Sequence, residues 1–243
     1  MKKKISLFLL AFMTLATISN AQFDVLKKKA EGVLKGNNPL SNDEVGKGLK
    51  EALEIGISKG SDVLSQKGGY LNSAYKILLP PEARNVANKL KAVPGFDKVE
   101  SDMIEKLNAA AEDAAVKAKP IFVNAIKQMS FADAMNILMG SKDAATMFLK
   151  KGTMEALYKE FNPIIVASLD KVNARSYWSN AVGAHNKIPF AKKANPDLDD
   201  YVTRAALDGL FSMVATKELD IRTNTASRTS DLLKNVFSKQ DGK

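Results

Sequence analysis

The stretch Asn195–Phe237, NPDLDDYVTRAALDGLFSMVATKELDIRTNTASRTSDLLKNVF, decides how the rest of the chain is read. Asn195 is a favoured N-cap and Pro196 suits the first helical position. Asp197, Asp199 and Asp200 set negative charge against the positive end of a helix, so a helix is predicted to start there. Leu198, Val202, Ala205, Ala206, Leu210, Met213 and Val214 recur at helical spacing. Leu207 and Phe211 widen the stripe to what a helix packed on more than one neighbour needs. Asp208, Glu218, Arg222 and Arg228 interrupt this apolar run and are the candidate ligand-binding residues. Arg204 with Asp208, and Glu218 with Arg222, have the i,i+4 spacing that brings two side chains together on one helix face. Exposed pairs of this kind contribute about 0.2–0.5 kcal/mol each. Buried ones need complete pairing, and then either fix a unique packing or line a pocket.

Working outward, the helical period continues upstream. A basic loop, Lys187–Phe190, follows a segment with the only Trp and the only His, Trp178 and His185, the latter expected in a loop or partly packed. Asn162–Pro163 is predicted to restart a helix through Ile165, Val166, Leu169 and Val172. Ser130 and Ser141 are expected N-caps for two helices separated by Gly140, the second amphipathic through Ala144, Ala145, Phe148, Leu149, Leu157 and Phe161. Asp97 and Glu100 have capping-box spacing before the longest periodic run, from Val99 to Met129. Alanines at 109, 110, 111, 114, 115 and 118 would let another helix approach it closely, and Pro120 should kink or divide it. Ser41 and Glu44 form a second capping box ahead of Val45, Leu49, Ala52, Leu53 and Ile57. Gly46, Gly48, Gly56 and Gly60 in that run fit either close helix contact or a broken helix, since each costs about 1 kcal/mol in an exposed helix. Gly68–Gly69, Leu78–Pro81 and Pro94–Gly95 read as breaks, the last two bracketing a helical pattern over Glu82–Val93. No alternating strand pattern and no fixed-period repeat occurs, so the predicted class is all-α, a single domain of about seven to nine helices.

The N-terminus carries an address. Lys2–Lys4 precede an apolar run from Ile5 to Ile18 and a small-residue exit at Ser19–Ala21, the layout of an export signal cleaved after Ala21. The competing reading, an uncleaved anchor, is disfavoured by a core shorter than the ~20 apolar residues of a spanning helix. No cysteine follows the exit, which excludes a lipoprotein anchor. The expected organisation is leader 1–21, lead-in 22–40 with a basic cluster at Lys27–Lys29, helical domain 41–237 and polar tail 238–243, in an exported protein. A cysteine-free chain must rely on its core, and 222 mature residues suffice for one. The mature chain has 33 basic and 27 acidic residues, interspersed, for a net charge of +6. No basic stripe interleaved with aromatics appears, so nucleic acid is not an expected partner.

Familiar catalytic patterns fail on context. Gly56-Ile57-Ser58-Lys59-Gly60 matches the nucleophile-elbow pattern, which needs a strand-to-helix turn, yet its surroundings read as helix. Ser73–Lys76 and Ser168–Lys171 satisfy S-x-x-K without the companion elements that make it catalytic. One histidine and no cysteine leave nothing for a transition-metal site. Asp197, Asp199 and Asp200 could attract Ca²⁺ but lack the loop pattern, and helix-start acidity explains them more simply. No phosphate-binding glycine loop occurs, so no cofactor is predicted.

Taken together, Asn195-Pro196-Asp197-Leu198, Tyr201-Val202-Thr203, Ala206-Leu207-Asp208-Gly209-Leu210-Phe211, Ile221-Arg222 and Arg228-Thr229 resemble the signature of domain-of-unknown-function family 4197. Asn108 with Ala110-Ala111-Glu112, Ala118-Lys119-Pro120-Ile121-Phe122 and Ala144-Ala145-Thr146 fit it as well. The resemblance spans roughly Leu40 to Phe237 and implies an exported helical protein of Gram-negative bacteria, located in the periplasm, with no assigned activity and hence no catalytic residues. Ala109 and Thr225 stand where the pattern leads one to expect Arg and Pro, which argues against an essential arginine at 109. Three functions fit: a non-enzymatic protein binding a small ligand or an envelope protein, an envelope-directed hydrolase with a carboxylate or serine nucleophile, and a structural protein touching anionic envelope polymers or lipid.

Overall fold

The computed structural model describes residues 41–85 and 97–238, apart from 82, 188, 191, 192, 194 and 196. The expected leader and lead-in, most of the Glu82–Val93 pattern, Pro94–Gly95 and the expected tail beyond 238 lie outside the described residues. Those described form an all-α protein: α1 (Asn42–Leu64), α2 (Val99–Ala115), α3 (Ala118–Gln128), α4 (Phe131–Met139), α5 (Ala144–Asp170), α6 (Ala174–His185), α7 (Leu198–Thr223), a 3-10 turn (Thr225–Ser227) and α8 (Asp231–Ser238). The long helices α5 and α7 pack together at the centre. Helix α2 covers α5, α1 lies along α7, α3 bridges α1 and α5, α4 and α8 close on α1, and α6 sits on α5 and α7.

Sequence explains the central pair. Leu149, Leu157, Phe161, Ile165 and Leu169 are fully buried along α5, and Val202, Ala206, Leu207 and Leu210 along α7. Each large side chain so buried is worth roughly 1.5–3 kcal/mol. Phe122 of α3 meets Phe211 of α7 edge to face, with ring centres 5.6 Å apart. Ala110, Ala111, Ala114 and Ala115 are buried on α2, where their lack of bulk brings that helix close to α5. Helix α1 runs unbroken through its glycines, which resolves the alternative in favour of close contact. A Cβ at Gly60 would lie 3.1 Å from Met213 Cγ on α7.

Several boundaries differ from the sequence reading. The Ser41–Glu44 capping box forms as expected, the carboxylate accepting from Ser41 N at 2.7 Å, and Ser130 caps α4 in a box with Asp133. Helix α2, however, starts at Val99 with Lys98 in the cap position and no side-chain cap, so Asp97 does not cap it. The α2–α3 run divides at Val116–Lys117, leaving Pro120 in the first turn of α3, where its missing N–H costs nothing. Pro163 does not restart a helix but lies inside continuous α5. It is exposed, so water can serve the carbonyl its ring leaves unbonded. Ser141 does not cap α5; its hydroxyl donates to Asp143 at 2.6 Å. Asn195 does not cap α7, which begins at Leu198; its side chain accepts from Asp197 N at 2.9 Å, while its carbonyl accepts from Trp178 Nε1 at 3.1 Å. His185 is the last residue of α6 rather than part of a loop.

Candidate functional site

Three of the four candidate residues gather at the C-terminal end of α7. Glu218 is 6% exposed, and its carboxylate accepts from the Ala145 and Thr146 N–H groups at 3.0 and 2.9 Å and from the Thr146 hydroxyl at 2.9 Å. It therefore supplies, from another helix, the N-terminal cap that Ser141 and Asp143 do not provide for α5. Arg222 donates to the same carboxylate at 3.0 and 2.9 Å, and beyond it to the Ile137 and Leu138 carbonyls at 2.8 and 3.4 Å, at the C-terminal end of α4. The pair thus places an anion at the start of α5 and a cation at the end of α4, each where the helix dipole favours it. Arg228, 2% exposed, donates to the Ile221 and Arg222 carbonyls at 3.1 and 3.0 Å, closing the end of α7, with the Phe237 ring centre 5.8 Å from its guanidinium.

Asp208 lies elsewhere. Ten residues before Glu218 along α7, it sits about 15 Å away at 1.5 Å per residue, with its side chain 67% exposed. The expected Arg204–Asp208 pair does not form. Arg204 reaches one turn back to Asp200, its Nε at 2.9 Å from both oxygens, and that cation holds the Asp200 carboxyl below its usual range. Asp208 meets Lys150 of α5 instead, at 3.2 Å through Oδ1. It belongs to the wall of a cleft of about 370 Å³ whose α7 side is Tyr201, Ala205, Asp208, Gly209 and Ser212 and whose other side is the segment 74–78. Tyr201 donates its hydroxyl across to the Leu78 carbonyl at 3.0 Å, and the Tyr75 hydroxyl lies 3.1 Å from Thr216 Oγ1.

Helix α2 fixes that segment in place. Asn108, fully buried, accepts from Ile77 N–H and donates to Ile77 C=O, both at 2.8 Å, as a neighbouring strand would. One turn later Glu112, also buried, accepts from the Gly68, Tyr70 and Leu71 N–H groups at 3.0, 3.0 and 3.2 Å. Tyr70 is fully buried and donates to the Ala206 carbonyl of α7 at 2.8 Å; burial first, and the Glu112 charge second, push its phenol well above the usual range. Its ring passes over Gly209, where a Cβ would lie 3.0 Å from Tyr70 Cε1 and 3.2 Å from Tyr75 Cβ. None of Asn108, Glu112, Tyr75 or Tyr201 was a sequence candidate for the site. The signal available was the i,i+4 spacing of Asn108 and Glu112, two polar residues on the buried face of an otherwise alanine-rich helix.

The remaining motifs find no catalytic geometry. Ser58 lies within continuous α1, away from any strand-to-helix turn. Among the helix-start carboxylates, Asp199 meets Arg175 at 2.9 Å and Asp200 accepts from Tyr158 at 2.7 Å as well as from Arg204. Among the described residues no group of three or more His, Cys, Asp or Glu is placed to hold a metal ion.

Fold and cleft define an all-helical protein whose interior charges cap its own helices and whose surface cleft is built between one long helix and an extended segment. The chain belongs to a family described as proteins of unknown function, DUF4197, matching it over residues 39–238. No curated protein and no solved structure matches the chain.

Proposed function

We propose that this protein is exported to the periplasm and acts there as a non-enzymatic binding protein, with the cleft between segment 74–78 and α7 as its binding surface. The observation that carries the reading is the contrast between Asp208 and the other candidate charges. Glu218, Arg222 and Arg228 have their polar atoms engaged by helix ends, whereas the Asp208 carboxylate stands largely exposed on the cleft wall beside Tyr201 and Ser212. Asp208 contacts the ligand; the other three hold α7, and so the cleft wall, in register. Export is supported by the Lys2–Lys4, apolar and small-residue order of the N-terminus. No helix among the described residues is long and apolar enough to cross a membrane.

Native mass spectrometry of the mature chain, isolated gently from its own periplasm, tests this. The wild type should carry an adduct of fixed mass that is lost from Asp208→Asn and from Ala205→Trp, which fills the cleft, both variants melting close to wild type. A clean wild-type mass, or an adduct unchanged in both variants, refutes it.

A further inference from the structure

The segment that forms one side of the cleft lies outside the helices and shows the alternating burial of a strand, with no partner strand among the described residues. Residues 76–79 alternate: Lys76 exposed, Ile77 buried, Leu78 exposed, Leu79 buried. In extended chain the peptide groups alternate in the same way, each residue turning its N–H and C=O to one side and its neighbours turning theirs to the other. Asn108 takes both groups of Ile77 on the α2 side. The groups of Leu78 must therefore point the opposite way, and the bond from Tyr201 to the Leu78 carbonyl confirms that this way is toward α7 and the cleft. The Leu78 N–H has no acceptor among the described residues, and its carbonyl has a second lone pair.

We infer that the cleft binds an extended peptide that adds itself as a strand along Leu78 and presents a lysine or arginine to Asp208. Edge pairing of this kind takes affinity from main-chain hydrogen bonds and specificity from alternate side chains. The charge at the cleft fits. Lys150 occupies Asp208 Oδ1 only, and Oδ2 has no partner among the described residues. Arg204, one turn back, is held on Asp200, and Lys76 lines the cleft from the segment side, across from the helix that carries Asp208. The cleft falls in the lower part of the range of small-ligand sites, roughly 300–1,000 Å³, the size for a few residues of a peptide rather than a folded domain.

This inference rests on the cleft being the binding surface, so the experiment separates the two. A display library of linear heptapeptides is panned against the mature chain, and the strongest clone is synthesised as a free peptide with and without N-methyl groups on alternate residues. The expected result is enrichment of Lys or Arg between β-branched residues and amide shifts confined to 74–78 and the 201–212 face of α7. Affinity should fall about tenfold or more in Asp208→Asn, the size of one charge-assisted hydrogen bond. A similar loss is expected on N-methylation, which keeps the test open if Leu78→Pro, the direct removal of the donor, fails to fold. Clones without a basic bias, equal binding of the N-methylated peptide, or shifts elsewhere overturn the inference. If the peptides fail while a native adduct of other chemistry is lost in Ala205→Trp, the cleft stands and only the peptide is refuted; if both fail, both are.

Discussion

Replacing Glu218 with alanine should be one of the most destabilising single changes in the protein, and replacing its partner Arg222 should be markedly milder. Glu218→Ala removes the acceptor of two α5 N–H groups and of the Thr146 hydroxyl. It also leaves the Arg222 guanidinium, 9% exposed, with one good carbonyl at 2.8 Å, a second at 3.4 Å and the Phe237 ring centre 6.0 Å away. Orphaning one member of a buried pair costs about 3–5 kcal/mol, and losing a helix cap about 1 kcal/mol; the two overlap, so about 4 kcal/mol is expected. Arg222→Ala leaves the carboxylate with its three donors and the positive end of α5, a field worth up to about 2 kcal/mol in partly buried geometry. That loss should come to about 2 kcal/mol. Against a total of roughly 5–15 kcal/mol both are large. Urea unfolding at pH 7 reads them as midpoint shifts at constant m-value. The double variant should be no less stable than Glu218→Ala alone, because it removes the orphaned cation as well. An Arg222→Ala loss equal to or above that of Glu218→Ala would refute the reasoning. So would a Glu218→Ala loss below about 1 kcal/mol, the value of an exposed pair.

Four further outcomes follow from the same geometry. Asn108→Ala strips both partners from Ile77 and should cost about 2–3 kcal/mol while raising the hydrogen-exchange rate of the Ile77 amide. Gly209→Ala drives a methyl against Tyr70 and Tyr75 and should cost about 1–3 kcal/mol in chemical denaturation. Ser61→Ala should raise stability by up to about 1 kcal/mol, since the buried Ser61 hydroxyl is the side-chain group without a hydrogen-bond partner among the described residues. The Asp200 carboxyl is lowered by the Arg204 hydrogen bond and, less, by the Tyr158 hydroxyl, with burial opposing. Its contribution is therefore present above the unfolded Asp value, about 3.9, and is lost as pH falls through the lower folded value. Stability measured against pH should show an acid limb over that window that is shallower in Asp200→Asn.

The fold was legible where apolar residues recur at helical spacing, as at Leu149, Leu157, Phe161, Ile165 and Leu169 of α5 and Val202, Ala206 and Leu210 of α7, because positions one or two turns apart fall on the same buried face. Its boundaries were less so. Asn195, Asp97 and Ser141 have the residue type of an N-cap but not the role, and at α5 the reason is visible: the cap comes from Glu218, 73 residues from Ala145 in sequence. A local rule cannot see a long-range cap. The charges that interrupt α7 were found by the same stripe, yet the i,i+4 rule pairs Glu218 with Arg222 and fails for Arg204, which has carboxylates at both i−4 and i+4. Asp200 wins that competition, its carboxylate being half-buried beside the Tyr158 hydroxyl while Asp208 is exposed. The cleft was not legible, since its extended side is set by Asn108 and Glu112 reaching from a helix rather than by any strand pattern.

The placement of the buried polar groups shows how a helical protein keeps an extended segment. Backbone outside helices must find partners, and in a protein without a sheet the usual partner is water at the surface. Here the segment after α1 is drawn inward instead. Glu112 satisfies three of its N–H groups, Asn108 satisfies both groups of Ile77, and Tyr70 plugs the core and bonds α7. Three buried anchors in ten residues are more than a connection between two helices needs, because a solvated turn would join them at no cost in desolvated polar groups. What the anchors add is rigidity of one edge against α7, and α7 is itself clamped by Glu218, Arg222 and Arg228 at its far end. Both walls of the cleft are thus held by interior hydrogen bonds while the groups facing the cleft, the Leu78 N–H and one oxygen of Asp208, are left open, which is the arrangement a preorganised binding surface requires.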